Sequence, residues 1–208
     1  MTIEPLGDRA FLLRQLDQEA FAYATGLERL QLPGILEVVA SYDTVAVYTD
    51  PGFDATRLPE SVETSCFAAS HHQIPVCFPM GLDFAETCQT LRLDTESFVE
   101  RFCASEYRCF AIGFCPGFPY LGYLSAELRG VTRRASPRTE IPRGSVAITD
   151  DQVGIYPLVR PGGWSLIGET PLTLVDVGDR YFPIAAGDLV SFYSIEKAEF
   201  RRLTGERL

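Results

Sequence analysis

No stretch of this 208-residue sequence is apolar for long enough to cross a bilayer as a helix. The segment Met1 to Leu13 carries Glu4, Asp8 and Arg9 and so lacks the basic start and uninterrupted apolar run of a secretory leader. The expectation is a cytoplasmic protein. Lysine is nearly missing: Lys197 stands alone, and the remaining cations are arginines, whose fixed charge and planar fork suit carboxylate or phosphate recognition. No Cys-x-x-Cys pair occurs among Cys66, Cys77, Cys88, Cys103, Cys109 and Cys115, and the chain is too long to need staples, so free and mostly buried thiols are expected. The pattern Gly-x-x-x-x-Gly-Lys-Ser/Thr is absent, which excludes phosphate binding of the P-loop type. Positive charge is also short: the net charge of -10 repels a nucleic-acid backbone, and an anionic small molecule would need a local basic patch.

Histidine is confined to His71 and His72. A Ser-His-Asp or Cys-His arrangement would have to use one of them, far in sequence from the glycine-rich loops. The two would also have to ligate any metal with Cys66 or Cys77, yet neighbours on an extended chain point in opposite directions. Neither a metal site nor a histidine-based catalytic group is expected.

What is present is a composition 46% hydrophobic, enough to bury real cores, on a length that suits two modest domains. The first segment reads as small α+β: an apolar stretch Ala10 to Leu16, then a helix from about Gln18 to Leu30 with Phe21, Ala24 and Leu27 on one face, stopped by Pro33-Gly34. Two β-rich runs, Ile35 to Ser41 and Thr44 to Thr49, flank Tyr42-Asp43 and predict a hairpin. A second helix is expected between Asp54 and Ala69, with Pro59 either in its first turn or breaking it. The boundary falls at His72, giving domains 1–72 and 73–208. Beyond it, Ile74 to Phe78 predicts a strand, and Asp83 to Leu91 and Thr95 to Ser105 predict helices. The remainder alternates short β-type runs with glycine and proline: Arg108 to Phe114, Ser145 to Thr149, Val153 to Tyr156, Trp164 to Ile167, Leu172 to Val175 and Asp188 to Tyr193. That spacing predicts an antiparallel barrel or sandwich.

Three loops carry the unusual chemistry. Gly113 to Gly122 presents Phe114, Phe118 and Tyr120 from a backbone fixed by Gly117 and by Gly113, Pro116, Pro119 and Gly122, a segment that reads as neither strand nor helix. It is either a barrel corner with aromatics plugging the core or the wall of a ligand pocket. Arg133, Arg134, Arg138 and Arg143 with Gly144-Ser145 form the local basic patch, suited to an anion or to a solvated or subunit-contacting loop. Arg160-Pro161-Gly162-Gly163-Trp164, followed by Gly168-Glu169-Thr170, sets the single tryptophan beside two glycines, either as core or as a site wall.

Across these loops the sequence resembles the KipI/PxpB family, also known as allophanate hydrolase subunit 1 or carboxyltransferase subdomain C and D. The resemblance runs from Gly7-Asp8-Arg9-Ala10 through Ser41-Tyr42-Asp43 and Ile74-Pro75-Val76-Cys77 to Gly113 to Tyr120. It continues through Pro137-Arg138, Gly144 to Ile148, Gly154 to Pro157, Pro161 to Trp164 and Ile167-Gly168. It implies an α+β protein, a small N-terminal α+β domain followed by a cyclophilin-like β-barrel. It implies also a subunit of an ATP-dependent 5-oxoprolinase that converts 5-oxo-L-proline to L-glutamate, with ATP as co-substrate together with Mg. The implied partners are a carboxyltransferase-like PxpC-type subunit and a lactam-utilisation PxpA-type subunit, the chain being inactive alone. By the same resemblance Arg138 and Arg143 bind an anionic group, Phe114, Phe118, Tyr120 and Trp164 wall a substrate or nucleotide pocket, and Gly117, Gly144, Ser145, Gly162 and Gly163 shape it. No catalytic residue is designated. One branch of the family instead inhibits a sensor histidine kinase without turnover, and an allophanate hydrolase or urea carboxylase role is a third alternative. Three positions depart from the family pattern: Cys103 stands where histidine is usual, Arg160 where serine is usual and Glu169 where arginine is usual. The last two are expected to pair across adjacent strands.

Overall fold

The computed structural model describes residues 1–63 and 69–208. The chain divides into two compact units, Met1–Ala69 and Ser70–Leu208. The first is a four-stranded antiparallel sheet with one helix. Strand β1 (Thr2–Pro5) pairs with β2 (Ala10–Arg14), helix α1 spans Ala20–Arg29, and β3 (Ile35–Ser41) and β4 (Thr44–Thr49) form the hairpin, in spatial order β1-β2-β4-β3. The hairpin bounds are those the sequence predicts, because Tyr42-Asp43 is a local turn signal and Tyr42 takes a left-handed φ of 55°. Helix α1 buries Phe21, Ala24 and Leu27 as its periodicity requires. The buried Tyr23 donates its hydroxyl proton to the Pro59 carbonyl at 2.6 Å. The second helix expected here is not formed over the described part of its range: Ala55–Arg57 is one short 3-10 turn, capped by Asp54, and residues 58–63 are irregular. Residues 64–68, with Cys66, lie outside the described residues.

The second unit is a nearly closed, barrel-like sheet of seven strands. Strand β5 (His71–Val76) leads into helices α2 (Phe84–Leu91) and α3 (Thr95–Cys103), followed by β6 (Glu106–Ile112), β7 (Pro119–Gly122), β8 (Arg138–Ile141), β9 (Ser145–Thr149), β10 (Gln152–Ile155), β11 (Arg160–Gly162), β12 (Ser165–Glu169), β13 (Leu189–Ser194) and helix α4 (Lys197–Leu203). The large sheet runs β12-β9-β10-β7-β6-β13-β5, and β8 pairs with β11 in a separate ribbon. Its last pairing, β13 with β5, is parallel and starts at Leu189 opposite His71, so both histidines belong to this unit. A bridge between Cys77 and Glu169, with the Cys77 N–H donating to the Glu169 carbonyl at 2.9 Å, brings the two ends of the sheet together.

Period-two alternation makes two apolar faces. On β9, Val146 and Ile148 join the main core while Ala147 faces the other way; on β10, Val153 and Ile155 oppose Gly154, with Tyr156 following; on β12, Ile167 opposes Leu166. The main core holds Phe78, Phe84, Phe98, Phe102, Tyr107 and Phe192 against helices α2 and α3. The opposite face carries Cys115, Phe118, Tyr120, Tyr156 and Trp164.

Several expectations are corrected. The segment read as neither strand nor helix contains β7, since Pro119 and its neighbours lie against β6 and β10. Leu172 to Val175 is not a strand and makes one isolated bridge, Thr173 with Arg207. Strands β1, β8 and β11 and helix α4 are too short or too polar to stand out in the sequence. Arg160 and Glu169 form no ion pair: the Arg160 guanidinium bonds the Val159 carbonyl at 3.0 Å, and Glu169 sits on β12 opposite Ser145, its carboxyl pushed up by burial.

Candidate functional site

The second apolar face is not fully covered. Residues Phe114, Phe118, Tyr120, Arg133, Arg134, Pro137, Tyr156, Pro161, Gly162, Gly163 and Trp164 enclose a cavity of about 310 Å³. Its floor exists because β10 has a glycine: a Cβ on Gly154 would press into the rings of Phe118 (2.6 Å) and Trp164 (2.9 Å). The rings then pack edge to face, Phe118 at 5.1 Å from Tyr156, 5.7 Å from Trp164 and 5.0 Å from Tyr120. Gly162 is required for the same reason, as a Cβ there would collide with the Tyr156 hydroxyl. Phe114 stands at the edge with its ring 57% exposed and its backbone in the left-handed region at φ 64°, a conformation a bulky residue rarely adopts.

The basic loop is organised by one acid. Asp83 is 4% exposed, yet four donors reach it. Arg138 grips it with two bonds, Nη2 to Oδ1 at 2.7 Å and Nη1 to Oδ2 at 2.8 Å; Arg134 Nη1 bonds Oδ1 at 2.9 Å, and the Leu166 N–H bonds Oδ2 at 2.8 Å. Burial alone would raise the Asp83 carboxyl, but the Arg138 and Leu166 hydrogen bonds and the charges of both arginines outweigh it and hold the group below the usual carboxylate range. The Arg134 N–H also donates to the Gly163 carbonyl at 2.7 Å, tying the loop to the tryptophan segment.

The structure therefore sorts the residues singled out in the sequence. Phe114, Phe118, Tyr120, Gly162, Gly163 and Trp164 come together around the cavity. Gly117 shapes the loop from behind, its left-handed φ of 71° leaving room for Val175 and Phe182. Arg138 is spent on Asp83 and lines no wall. Arg143 is exposed away from the cavity, and Gly144 and Ser145 serve the start of β9, where the Gly144 N–H donates to Tyr156 and the Tyr156 N–H to Ser145. Asp83, Arg133 and Tyr156 were not among the residues the resemblance assigned. The arginine doublet was visible, but nothing local says that Arg134 faces an acid 51 positions upstream while Arg133 does not.

Both histidines pair with acids. His72 Nε2 lies 3.0 Å from Asp188 Oδ2, whose carboxylate also accepts from the Ser70 and Ala185 N–H groups, and His71 pairs with Glu106 at 3.2 Å near the surface. Cys103 is half-buried with its thiol pushed up to about 11 by burial. Among the described residues no three His, Cys, Asp or Glu side chains gather as a metal site, and no helix is long and apolar enough to cross a membrane.

Known proteins are similar to this chain in sequence and fold. A family model, that of the carboxyltransferase domain, subdomain C and D, matches residues 1–184. A Bacillus subtilis protein named as a 5-oxoprolinase subunit is 30% identical, with 95% of this chain and 94% of that protein aligned. A Haemophilus influenzae protein of the same name is 34% identical over 92% of this chain and 97% of its own length. The crystal structure of TTHA0988 superposes with a TM-score of 0.80 at 32% identity over 90% of this chain, which spans 40% of the TTHA0988 chain.

Proposed function

We propose, since this chain belongs to the family of the carboxyltransferase domain, subdomain C and D, that it is one subunit of an ATP-dependent 5-oxoprolinase, opening 5-oxo-L-proline to L-glutamate with partner subunits. The observation that carries this reading is the similarity, nearly end to end, to the two proteins named as 5-oxoprolinase subunits.

The chemistry explains the need for ATP. Amide resonance makes a lactam carbonyl a poor electrophile. Transfer of a phosphoryl group to the amide oxygen creates a leaving group, and water can then open the ring, with positive charge and N–H donors needed where negative charge develops. The aromatic cavity supports a role in receiving a small flat ring, and its size is at the lower end for ligand pockets. This chain has no P-loop. Its histidines are engaged with Glu106 and Asp188. The partners in this reading are a carboxyltransferase-like PxpC-type subunit and a lactam-utilisation PxpA-type subunit, all working in the cytoplasm, and the isolated chain is silent.

The test is glutamate formation from 5-oxoproline and ATP by the chain mixed with the candidate partners encoded beside it. Turnover that needs ATP and vanishes when this chain is omitted is the expected result. A stable complex with no turnover would overturn the enzymatic reading in favour of a regulatory binding protein.

A further inference from the structure

The basic patch contains four arginines, and two of them, Arg133 and Arg134, line the cavity. Arg134 and Arg138 converge on Asp83, and Arg143 does not line the cavity. Arg133 forms no ion pair among the described residues; its guanidinium carbon lies 5.9 Å from the centroid of the Trp164 ring, on the cavity wall. Its charge is felt inside: burial pushes the Tyr120 and Tyr156 hydroxyls up, and Arg133 pulls both back. The neighbouring polar cavity of about 440 Å³, which shares Arg133 and Arg134 as a wall, is lined also by Asp83 and Glu86 and disfavours an anion.

The backbone around Arg133 is held on both sides. Upstream, the Asp150 N–H donates to the Val131 carbonyl at 2.7 Å and the Gly130 N–H to the Asp150 carbonyl at 3.1 Å. Downstream, Arg134 is fixed at its N–H by Gly163 and at its guanidinium by Asp83, and Arg138 closes the loop on the same carboxylate. The side chain of Arg133 is what this clamp leaves free.

We infer that Arg133 is the carboxylate-binding residue of the aromatic cavity, holding a small ring-bearing carboxylate against Trp164, Phe118 and Tyr120, and that Asp83 is a positioning residue that presents Arg133 by clamping Arg134 and Arg138. This rests on the 5-oxoprolinase reading for the identity of the ligand, a five-membered lactam with one carboxylate. It places the specificity for that carboxylate in this subunit.

The single tryptophan provides the readout. Trp164 emission of the full chain is titrated with 5-oxo-L-proline and with 2-pyrrolidinone, the same lactam ring without its carboxylate. The wild-type chain is expected to show a saturable change with both and to favour 5-oxoproline. Loss of a charge-assisted hydrogen-bonded contact in Arg133→Ala should weaken 5-oxoproline about tenfold or more and leave 2-pyrrolidinone unchanged, with Arg133→Lys in between. Asp83→Asn, checked by circular dichroism for an intact fold, should reduce the preference for 5-oxoproline without altering 2-pyrrolidinone affinity. A merely structural Asp83 would weaken both ligands together. A wild-type chain with no response to 5-oxoproline, or an Arg133→Ala variant that binds it like wild type, would overturn the inference. The reconstituted turnover assay separately decides the subunit reading, so the two failures are distinguishable.

Discussion

The barrel-like unit contains two aromatic clusters on opposite faces of one sheet, and they have opposite characters. In the main core, Phe78, Phe84, Phe98, Phe102, Tyr107 and Phe192 pack ring on ring under helices α2 and α3; Phe102 is 0% exposed and lies 5.0 Å from Phe192 and 5.3 Å from Tyr107. Across the sheet, Phe118, Tyr120, Tyr156 and Trp164 pack equally closely but remain open on one side, with a guanidinium on the wall and Phe114 at the edge. Aromatic density alone therefore does not mark a site. The second cluster differs by carrying an indole and by lying under a glycine- and arginine-bearing loop that does not seal it.

That contrast predicts unequal responses to truncation. Phe102→Ala should lose about 3–5 kcal/mol of stability in urea unfolding, because a sealed core cannot collapse around the missing ring. Asp83→Ala should cost about 2–4 kcal/mol, less than a fully buried pair, since both arginines keep some access to water. Asp83 also sets an acid limb. Its carboxyl is depressed in the folded state, so its stabilisation is complete above the ordinary aspartate value of about 4 and is lost as pH falls through the lower folded value. Thermal melts across that range should be flatter for Asp83→Asn than for wild type; equal slopes would remove the clamp from the account. Phe114→Ala, at an exposed position, should shift stability by no more than about 0.5 kcal/mol while reducing turnover of the reconstituted complex. If it destabilises the chain as Phe102→Ala does, the open cluster is merely core. The smallest effect is expected at Cys109, whose thiol burial pushes up to about 12: alkylation at neutral pH should leave it unmodified until the protein unfolds.

Much of the architecture was legible because it is encoded locally. The Tyr42-Asp43 turn, the apolar face of α1, the helices α2 and α3 and strand β9 follow from turn chemistry and periodicity over a few residues. The misses are non-local. Strand β7 hides in a proline- and glycine-bearing loop and exists because β6 and β10 flank it. The ribbon of β8 and β11 joins two segments rich in polar and glycine residues that gain strand character by pairing with each other. The pairing expected between Arg160 and Glu169 failed because those residues occupy strands in different sheets.

The sequence by itself determined the two-unit α+β plan, the family and the concentration of aromatic and arginine residues in three loops, since composition and short-range pattern suffice for each. Only the tertiary structure decided which aromatics are core and which wall a cavity, because alternate residues of one strand go to opposite faces of a sheet. It alone also decided which arginines of the basic loop are tied to an acid. Asp83, from the turn before α2, reaches across to neutralise Arg134 and Arg138, and a charge partner 51 or 55 residues away has no signature in local sequence.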